Sequence, residues 1–180
     1  DQSRSRSNQT EIGVSQIGGC RKQVWLQLQN TPKENETLKL PALMGTAIHQ
    51  MIEEALHMEV EQNWSQYWLE TEISHGDLKG HIDLYIPSVG AVVDWKTTKL
   101  KNLDYFPSKQ QRWQVHLYAW LLVQNGQNVE TVTLVGIPRD ADEREIKVHT
   151  EMYNPEIAEQ AITWLREVQS MENAPDPERY

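Results

Sequence analysis

Residues 78–97 decide the fold, and they read Leu-Lys-Gly-His-Ile-Asp-Leu-Tyr-Ile-Pro-Ser-Val-Gly-Ala-Val-Val-Asp-Trp-Lys-Thr. The apolar alternation on both sides of Pro-Ser-Val-Gly predicts two consecutive strands. Because side chains alternate between the faces of a strand, Asp94 and Lys96 share one face, and Asp83 lies on the preceding strand. Two carboxylates and an amine on an apolar sheet are costly unless they pair or bind a cation. A structural Asp94–Lys96 ion pair is the alternative interpretation.

Periodic patterns on both sides of this stretch predict further helices and strands. The predicted helices cover 15–29, 41–63, 107–124 and a segment that begins after Asn154-Pro155, and the predicted strands cover 67–75, 78–86, 90–97, 130–137 and 146–153. In order, two helices precede a meander of three strands, and a helix, two strands and a last helix follow. This order lacks the regular βαβ alternation of a doubly wound sheet, so we expect an α/β fold with a mixed central sheet between helices.

The length bounds the organisation of the chain. With 180 residues and 20.9 kDa, we expect one domain over 1–180. The polar ends, 1–11 and 172–180, are predicted to fray, and 31–37 is predicted to be a surface loop.

Composition excludes several classes of protein. Cys20 is the one cysteine, which excludes an internal disulfide framework. No apolar run approaches the ~18–20 residues of a membrane span, and the opening residues lack the apolar stretch of a signal peptide. We therefore expect a cytoplasmic protein without membrane partners. The chain does not begin with Met, which predicts an excerpt or a processed chain.

The net charge of −9 argues at first against a nucleic-acid partner. Acidic residues, however, concentrate in 51–80 and 140–180, while a basic run extends from Lys96 to Arg112. Taken alone, such a run is more typical of a solvated face. A negative protein still binds a polyanion locally where divalent cations and basic side chains supply the positive potential.

Two of the predicted helices carry further polar residues at helical spacing. Gly45, His49 and Glu53 form one stripe of helix 41–63. The glycine predicts close approach of another backbone, and the histidine is a candidate metal ligand, although a hydrogen-bonded structural histidine is the commoner case. Helix 107–124 places Gln114 and Tyr118 on one face, where a buried glutamine needs a polar partner.

Together these residues resemble the ordered motifs of RecB-type nucleases in the PD-(D/E)XK superfamily. The motifs are Gly45-x-x-x-His49, Gly80-His81-Ile82-Asp83, Asp94-Trp95-Lys96-Thr97-Thr98 and Gln114-x-x-x-Tyr118. The resemblance spans about 15–137 and implies a restriction-endonuclease-like αβββαβ core.

The resemblance also implies roles for individual residues. One or two Mg²⁺ or Mn²⁺ ions would be bound by His49, Asp83, Asp94 and the backbone carbonyl of Trp95. Lys96 would contact the attacking water or the scissile phosphate. Gln114 would orient Lys96 or the water, and Tyr118 would contact DNA or support its helix. The additional residues considered are Glu53 and Glu72 as further acids near the site, and Arg21, Lys22, Lys99 and Lys101 as DNA contacts.

One departure from related nucleases concerns Cys20. The segment Ser15-Gln-Ile-Gly-Gly-Cys20-Arg21-Lys22 is similar to the place where many RecB-like nucleases have the first cysteine of an iron–sulfur cluster. Those enzymes have three more cysteines near the C-terminus, and this chain has none. We therefore expect no four-cysteine cluster from this chain, and Cys20 is expected to be a small buried residue.

The resemblance predicts a metal-dependent DNA nuclease, either an exonuclease or an enzyme that prefers single strands. It would act in DNA processing, repair or recombination, within a larger recombination or replication complex. The alternative is a non-catalytic nucleic-acid-binding module of the same fold. The simultaneous presence of Asp83, Asp94 and Lys96 argues for catalysis, because a binding module needs no carboxylates directed at a phosphate. A structural domain with coincidental motifs is the third interpretation.

Overall fold

A five-stranded sheet and four helices form the part of the chain that the computed structural model describes, which is residues 12–32, 40–60 and 66–177. The helices are α1 (Arg21–Leu28), α2 (Leu40–Val60), α3 (Lys109–Gln124) and α4 (Pro155–Gln169). The strands are β1 (Trp68–His75), β2 (Leu78–Ile86), β3 (Ala91–Thr98), β4 (Thr131–Pro138) and β5 (Lys147–Met152). These elements confirm the predicted α/β class and the predicted order. The predicted frayed end 1–11 and most of the predicted loop 31–37 lie outside the described residues, whereas 172–177 contains neither helix nor strand.

The first predicted helix is wrong at its start. Val14–Gln16 is a 3₁₀ turn, and α1 begins only at Arg21. The reason is the Gly18-Gly19 pair, since Gly18 has φ +83° and a Cβ there would lie 2.9 Å from the Trp113 ring. The backbone therefore turns sharply where a helix would continue. Cys20 is the N-cap of α1 and is half-buried, so the expectation of a buried cysteine is also wrong.

The strands lie side by side in chain order, β1-β2-β3-β4-β5. Neighbours are antiparallel except β3 and β4, which pair in parallel. A parallel pair needs a crossover connection, and α3 supplies it between these two strands. Ser108 and Gln111 form a capping box at the start of α3, which fixes where the crossover helix begins.

Helices lie on both faces of the sheet. On one side Gln114 of α3 contacts Asp94, while on the other His49 of α2 contacts the next residue of β3, Trp95. Because consecutive residues of a strand point to opposite faces, α2 and α3 pack on opposite sides of β3. The α3 side contains the core together with α4; its fully buried members include Val92, Val115, Leu117, Leu121, Leu122, Leu134, Ala161 and Leu165.

No helix within the described residues combines the length and the apolar character needed to cross a membrane.

Candidate active site

The site lies where β2 and β3 separate. The two strands pair only from Leu84–Val93 to Ile86–Ala91. Beyond that point the backbone N–H of Trp95 donates a hydrogen bond to Asp83 Oδ2 at 2.9 Å. A side-chain carboxylate therefore takes the place of a ladder carbonyl, which holds Asp83 at the opening between the strands. This contact places Asp83, which lies on the strand preceding β3 as predicted, near Asp94.

Asp94 is completely buried on β3. Lys96 Nζ lies 2.9 Å from its Oδ1 and 2.8 Å from its Oδ2, but only the Oδ1 contact has hydrogen-bond geometry. Burial raises the pKa of Asp94 above its ordinary value; Lys96 opposes this rise and the nearby Asp83 carboxylate adds to it. The second oxygen thus pairs with the charge of Lys96 but, among the described residues, accepts no hydrogen bond of good geometry.

Gln114 and Tyr118 fix the orientation of Asp94 from α3. Gln114 Nε2 donates to Asp94 Oδ1 at 3.4 Å and to the Tyr118 hydroxyl at 2.7 Å. The amide nitrogen thus contacts both Asp94 and Tyr118, and the orientation of Lys96 or a water by Gln114, which the resemblance implied, stays a prediction. Tyr118 is only 4% exposed and packs on Gly80, where an added Cβ would lie 2.7 Å from its ring. This burial favours the supporting role of Tyr118 over a DNA contact.

His49 approaches the same opening from α2. Its Nδ1 lies 3.5 Å from Asp83 Oδ1 and 3.9 Å from Glu70 Oε1. Burial lowers the pKa of His49, but the Asp83 hydrogen bond and carboxylate charge outweigh it, so the pKa is raised overall. The helix comes close because Gly45 faces β3, where a Cβ would lie 3.2 Å from Thr97 Oγ1. The close approach predicted at this glycine is therefore made by a side chain rather than by a backbone.

Glu70 is the site residue that sequence reasoning missed. It lies on β1 opposite Asp83, at the one position where the otherwise continuous β1–β2 register is not paired. Its φ of +41° is left-handed, which is strained for a glutamate inside a strand. His81 Nε2 lies 3.0 Å from its Oε2. The sequence did not indicate that Glu70 rather than Glu72 belongs to the site, because in a regular strand both glutamates point to the same face.

The two acids considered from sequence are engaged elsewhere. Glu72 pairs with Lys79 at 3.1 Å, and its side chain is 61% exposed. Glu53 pairs with His57 at 3.3 Å along α2. Neither belongs to the group formed by His49, Glu70 and Asp83, whose potential ligand atoms all lie within 4.8 Å of one another.

The predicted basic run is divided in the structure. Lys99 and Lys101 are both exposed where the chain leaves β3; Lys99 is the N-cap of a 3₁₀ turn, and Lys101 lies in that turn. Lys109 lies 4.3 Å from the Trp113 ring centroid, and Arg112 forms a two-pronged ion pair with Glu151 of β5. The exposed lysines next to β3 thus remain the candidates for phosphate contacts.

Of the two basic residues of α1, Arg21 lies against α4. Arg21 contacts Glu167 of α4 at 3.2 Å and lies 5.7 Å from the Trp164 ring centroid. Lys22 follows it and is half-buried. Their contact with DNA stays a prediction.

The site fits a hard divalent cation. Carboxylate oxygens of Asp83, Asp94 and Glu70 together with one imidazole match the ligands of Mg²⁺ or Mn²⁺. The convergence of this donor set supports the fit, because the potential ligand atoms of His49, Glu70 and Asp83 lie within 4.8 Å of one another. Ligation by the Trp95 carbonyl stays a prediction.

Comparison with known proteins agrees with this geometry. The family model described as the PD-(D/E)XK nuclease superfamily matches residues 55–179. No match was found among curated proteins.

Several solved structures share the fold. SSO0001 has 18% identity and a TM-score of 0.61, covering 93% of this chain and 79% of its own. An alkaline exonuclease from Laribacter hongkongensis has 10% identity and a TM-score of 0.59, covering 89% of each chain. A phage-related exonuclease from Haemophilus somnus has 12% identity and a TM-score of 0.55, covering 83% of this chain and 77% of its own.

Proposed function

Because this chain belongs to the PD-(D/E)XK nuclease superfamily, we propose that it is a Mg²⁺- or Mn²⁺-dependent deoxyribonuclease that hydrolyses phosphodiester bonds. An exonuclease, or a nuclease that prefers single strands, is the favoured form. The observation that carries the proposal is the fully buried Asp94 carboxylate, which contacts Lys96 through both oxygens, at 2.9 and 2.8 Å, and lies near the carboxylate of Asp83. A purely structural ion pair does not require the neighbouring group of His49, Glu70 and Asp83, whose potential ligand atoms lie within 4.8 Å of one another.

The cation would be held by His49, Glu70, Asp83, Asp94 and the Trp95 carbonyl. When bound, it supplies Lewis acidity toward the scissile phosphate and lowers the pKa of the attacking water. These residues come from α2 and three adjacent strands, so binding requires the assembled fold.

The remaining residues act on the phosphate and on one another. Lys96 carries a positive charge beside Asp94 and stabilises the negative charge that develops on the phosphate oxygens. Gln114 holds the orientation of Asp94, and Tyr118 holds Gln114. Lys99 and Lys101 contact the backbone of the substrate strand, which offsets the overall negative charge of the protein. Action in the cytoplasm within a repair or recombination complex is part of the same proposal.

Cleavage of end-labelled DNA tests the proposal. Linear single-stranded, linear duplex and circular DNA are incubated with Mg²⁺, Mn²⁺ or EDTA, beside the Asp94→Ala variant. We expect degradation of linear DNA with either metal, and none with EDTA or with the variant. Cleavage of circular DNA would identify an endonuclease, and activity of a folded Asp94→Ala protein equal to wild type would overturn the site assignment.

His49→Ala separates ligation from packing. Since His49 is half-buried and faces the carboxylates, we expect its loss to weaken Mn²⁺ binding in calorimetric titration more than it lowers the melting temperature. Unchanged Mn²⁺ affinity together with a large loss of thermal stability would support a structural histidine instead.

A further inference from the structure

Two histidines approach different oxygens of the Glu70 carboxylate. His81 Nε2, from β2, lies 3.0 Å from Oε2, whereas His49 Nδ1, from α2, lies 3.9 Å from Oε1. The first distance is within hydrogen-bonding reach and the second is not. The protein therefore engages Oε2 through His81, and Oε1 remains for the group that Glu70 forms with His49 and Asp83.

The register of β1 and β2 explains why Glu70 contacts His81. The register puts Asp83 opposite Glu70, and like charges directly opposite each other in a sheet repel. His81 lies two residues before Asp83 on the same face of β2, at the diagonal position that a long side chain reaches. Glu72 shows the same pattern, since it lies opposite His81 but contacts Lys79. Each of these two acids of β1 thus contacts the basic residue that is diagonal to it.

The backbone of Glu70 supports the same arrangement. Its φ of +41° is left-handed, and such a conformation persists in a glutamate only where the surrounding structure holds it. The contact with His81 is one of the interactions that hold it. The strand therefore leaves its regular ladder at the residue whose carboxylate joins the candidate cation group.

The number of oxygens that Glu70 offers affects which cation the site prefers. Mg²⁺ requires a compact, nearly octahedral set of ligands, whereas Ca²⁺ accepts roughly six to eight oxygens and binds carboxylates through one or both oxygens. Mn²⁺ also takes octahedral oxygen sites. A carboxylate with one oxygen engaged by a histidine offers a single oxygen, which suits the smaller cations.

We propose that His81 is a positioning residue that holds Glu70 Oε2 and leaves only Oε1 for the cation, so that the site selects Mg²⁺ or Mn²⁺ over Ca²⁺. This inference rests on the proposed function, because it takes Glu70 as a ligand of the catalytic cation. His81 itself does not touch the cation. Loss of the imidazole frees the second oxygen, which loosens the site for the smaller cations and gives Ca²⁺ an additional ligand atom.

Calorimetric titration with Mn²⁺ and with Ca²⁺, in the absence of DNA, measures this selectivity separately from nuclease activity. For His81→Leu we expect Mn²⁺ affinity to fall by about tenfold or more, while Ca²⁺ affinity stays the same or rises. His75→Leu is the matched control, because His75 is an exposed histidine near the turn of the same hairpin and packs on Trp120. It should keep both affinities at the wild-type values.

Two amide substitutions test whether the contact with Glu70 carries the effect. The side-chain nitrogen of a glutamine reaches about the place of imidazole Nε2, whereas that of an asparagine ends near the place of Nδ1. His81→Gln should therefore retain the wild-type ratio of the two affinities, and His81→Asn should behave as His81→Leu does. In a Glu70→Gln background, His81→Leu should lower Mn²⁺ affinity little further, because a residue that acts through Glu70 has no separate effect.

The outcomes separate this inference from the proposed function. The melting temperature of each variant establishes that it is folded. Equal changes of both affinities in His81→Leu and His81→Asn, no change in either, or failure of His81→Gln to restore the ratio overturns the selectivity role and leaves the nuclease proposal standing. Additive losses in the Glu70→Gln background would mean that His81 binds the cation directly, which also overturns the positioning role. A wild type that binds neither cation overturns both this inference and the proposed function.

Discussion

Asp94 combines two demands that conflict in a folded protein. Its carboxylate is fully buried, and burial strengthens the attraction between a carboxylate and the proposed cation. Without a cation, the same burial raises the pKa of Asp94. The same feature that prepares the site for a metal therefore destabilises the metal-free protein at neutral pH. Lys96 reduces this cost without removing it, since it satisfies only one of the two oxygens with hydrogen-bond geometry.

Asp94→Asn should therefore stabilise the metal-free protein. The folded pKa of about 6 exceeds the unfolded value of about 3.9, so the unfolded state binds fewer protons between these values and stability falls as pH rises through that window. The melting temperature of the variant should exceed that of wild type above about pH 6, and the excess should vanish below about pH 4. Saturating Mn²⁺ should stabilise only the wild type. An equal or lower melting temperature of the variant at pH 7 in EDTA would show that the buried charge of Asp94 does not destabilise the metal-free protein.

Lys96 should separate metal binding from turnover. Lys96→Ala deletes no proposed ligand and removes a positive charge from the site, so Mn²⁺ affinity should stay the same or increase. Single-turnover cleavage should fall by about 10²–10⁴-fold. Lys96→Arg should not restore full activity, because a planar guanidinium does not replace a compact ammonium at one oxygen. Full single-turnover cleavage by a folded Lys96→Ala protein would overturn this role, and a loss of thermal stability with cleavage unchanged would indicate a structural ion pair alone.

At the scale of elements, the sequence predicts helices and strands whose side chains follow the regular periodicity, and it misses positions where the backbone departs from that periodicity. Strand periodicity placed Asp83, Asp94 and Lys96 correctly on β2 and β3, because both strands are regular up to the site. The start of α1 was predicted too early. Gly18 turns the backbone and packs against Trp113, which is distant in sequence, so the local helical pattern gave no sign of the turn. Glu70 was missed for a similar reason, since its left-handed backbone and unpaired register depend on its neighbours in the sheet.

The contact between β2 and α3 gives a prediction for Gly80. A Cβ at this position would lie 2.7 Å and 2.9 Å from two atoms of the Tyr118 ring, which is itself buried. Gly80→Ala should therefore displace Tyr118, lower stability by about 1–3 kcal/mol and reduce cleavage through the loss of the Gln114 contact. Tyr118→Phe is the matched comparison, since it keeps the ring and deletes only the hydroxyl that accepts from Gln114. It should reduce cleavage with a smaller loss of stability. A Gly80→Ala protein with wild-type melting temperature and activity would show that α3 adjusts freely.

At the scale of the whole molecule, a protein with a net charge of −9 has to attract a polyanion through a small part of its surface. Lys99 and Lys101 are exposed directly after the strand that carries Lys96. Arg112 is not available for a phosphate contact while its Nε and Nη2 groups donate to Glu151. Under the proposed function, the field that meets the DNA is therefore local and depends on the proposed cation, because the net charge of the protein is negative.

This arrangement predicts how binding of DNA depends on salt. With Ca²⁺ in place of Mg²⁺ to limit cleavage, DNA affinity is measured by fluorescence anisotropy over a range of NaCl concentrations. Lys101→Ala should weaken binding and lower the slope of log K against log salt by about 1, because one phosphate contact releases about one counterion. Arg144→Ala is the control, since Arg144 is 83% exposed but pairs with Asp142 beside β5.

EDTA should weaken binding of the wild type more than either substitution does, because it removes the positive charge of the cation and leaves the buried carboxylates facing the phosphate. Equal slopes for Lys101→Ala and wild type would remove the turn after β3 from the DNA interface, and unchanged affinity in EDTA would mean that the cation does not contribute to binding.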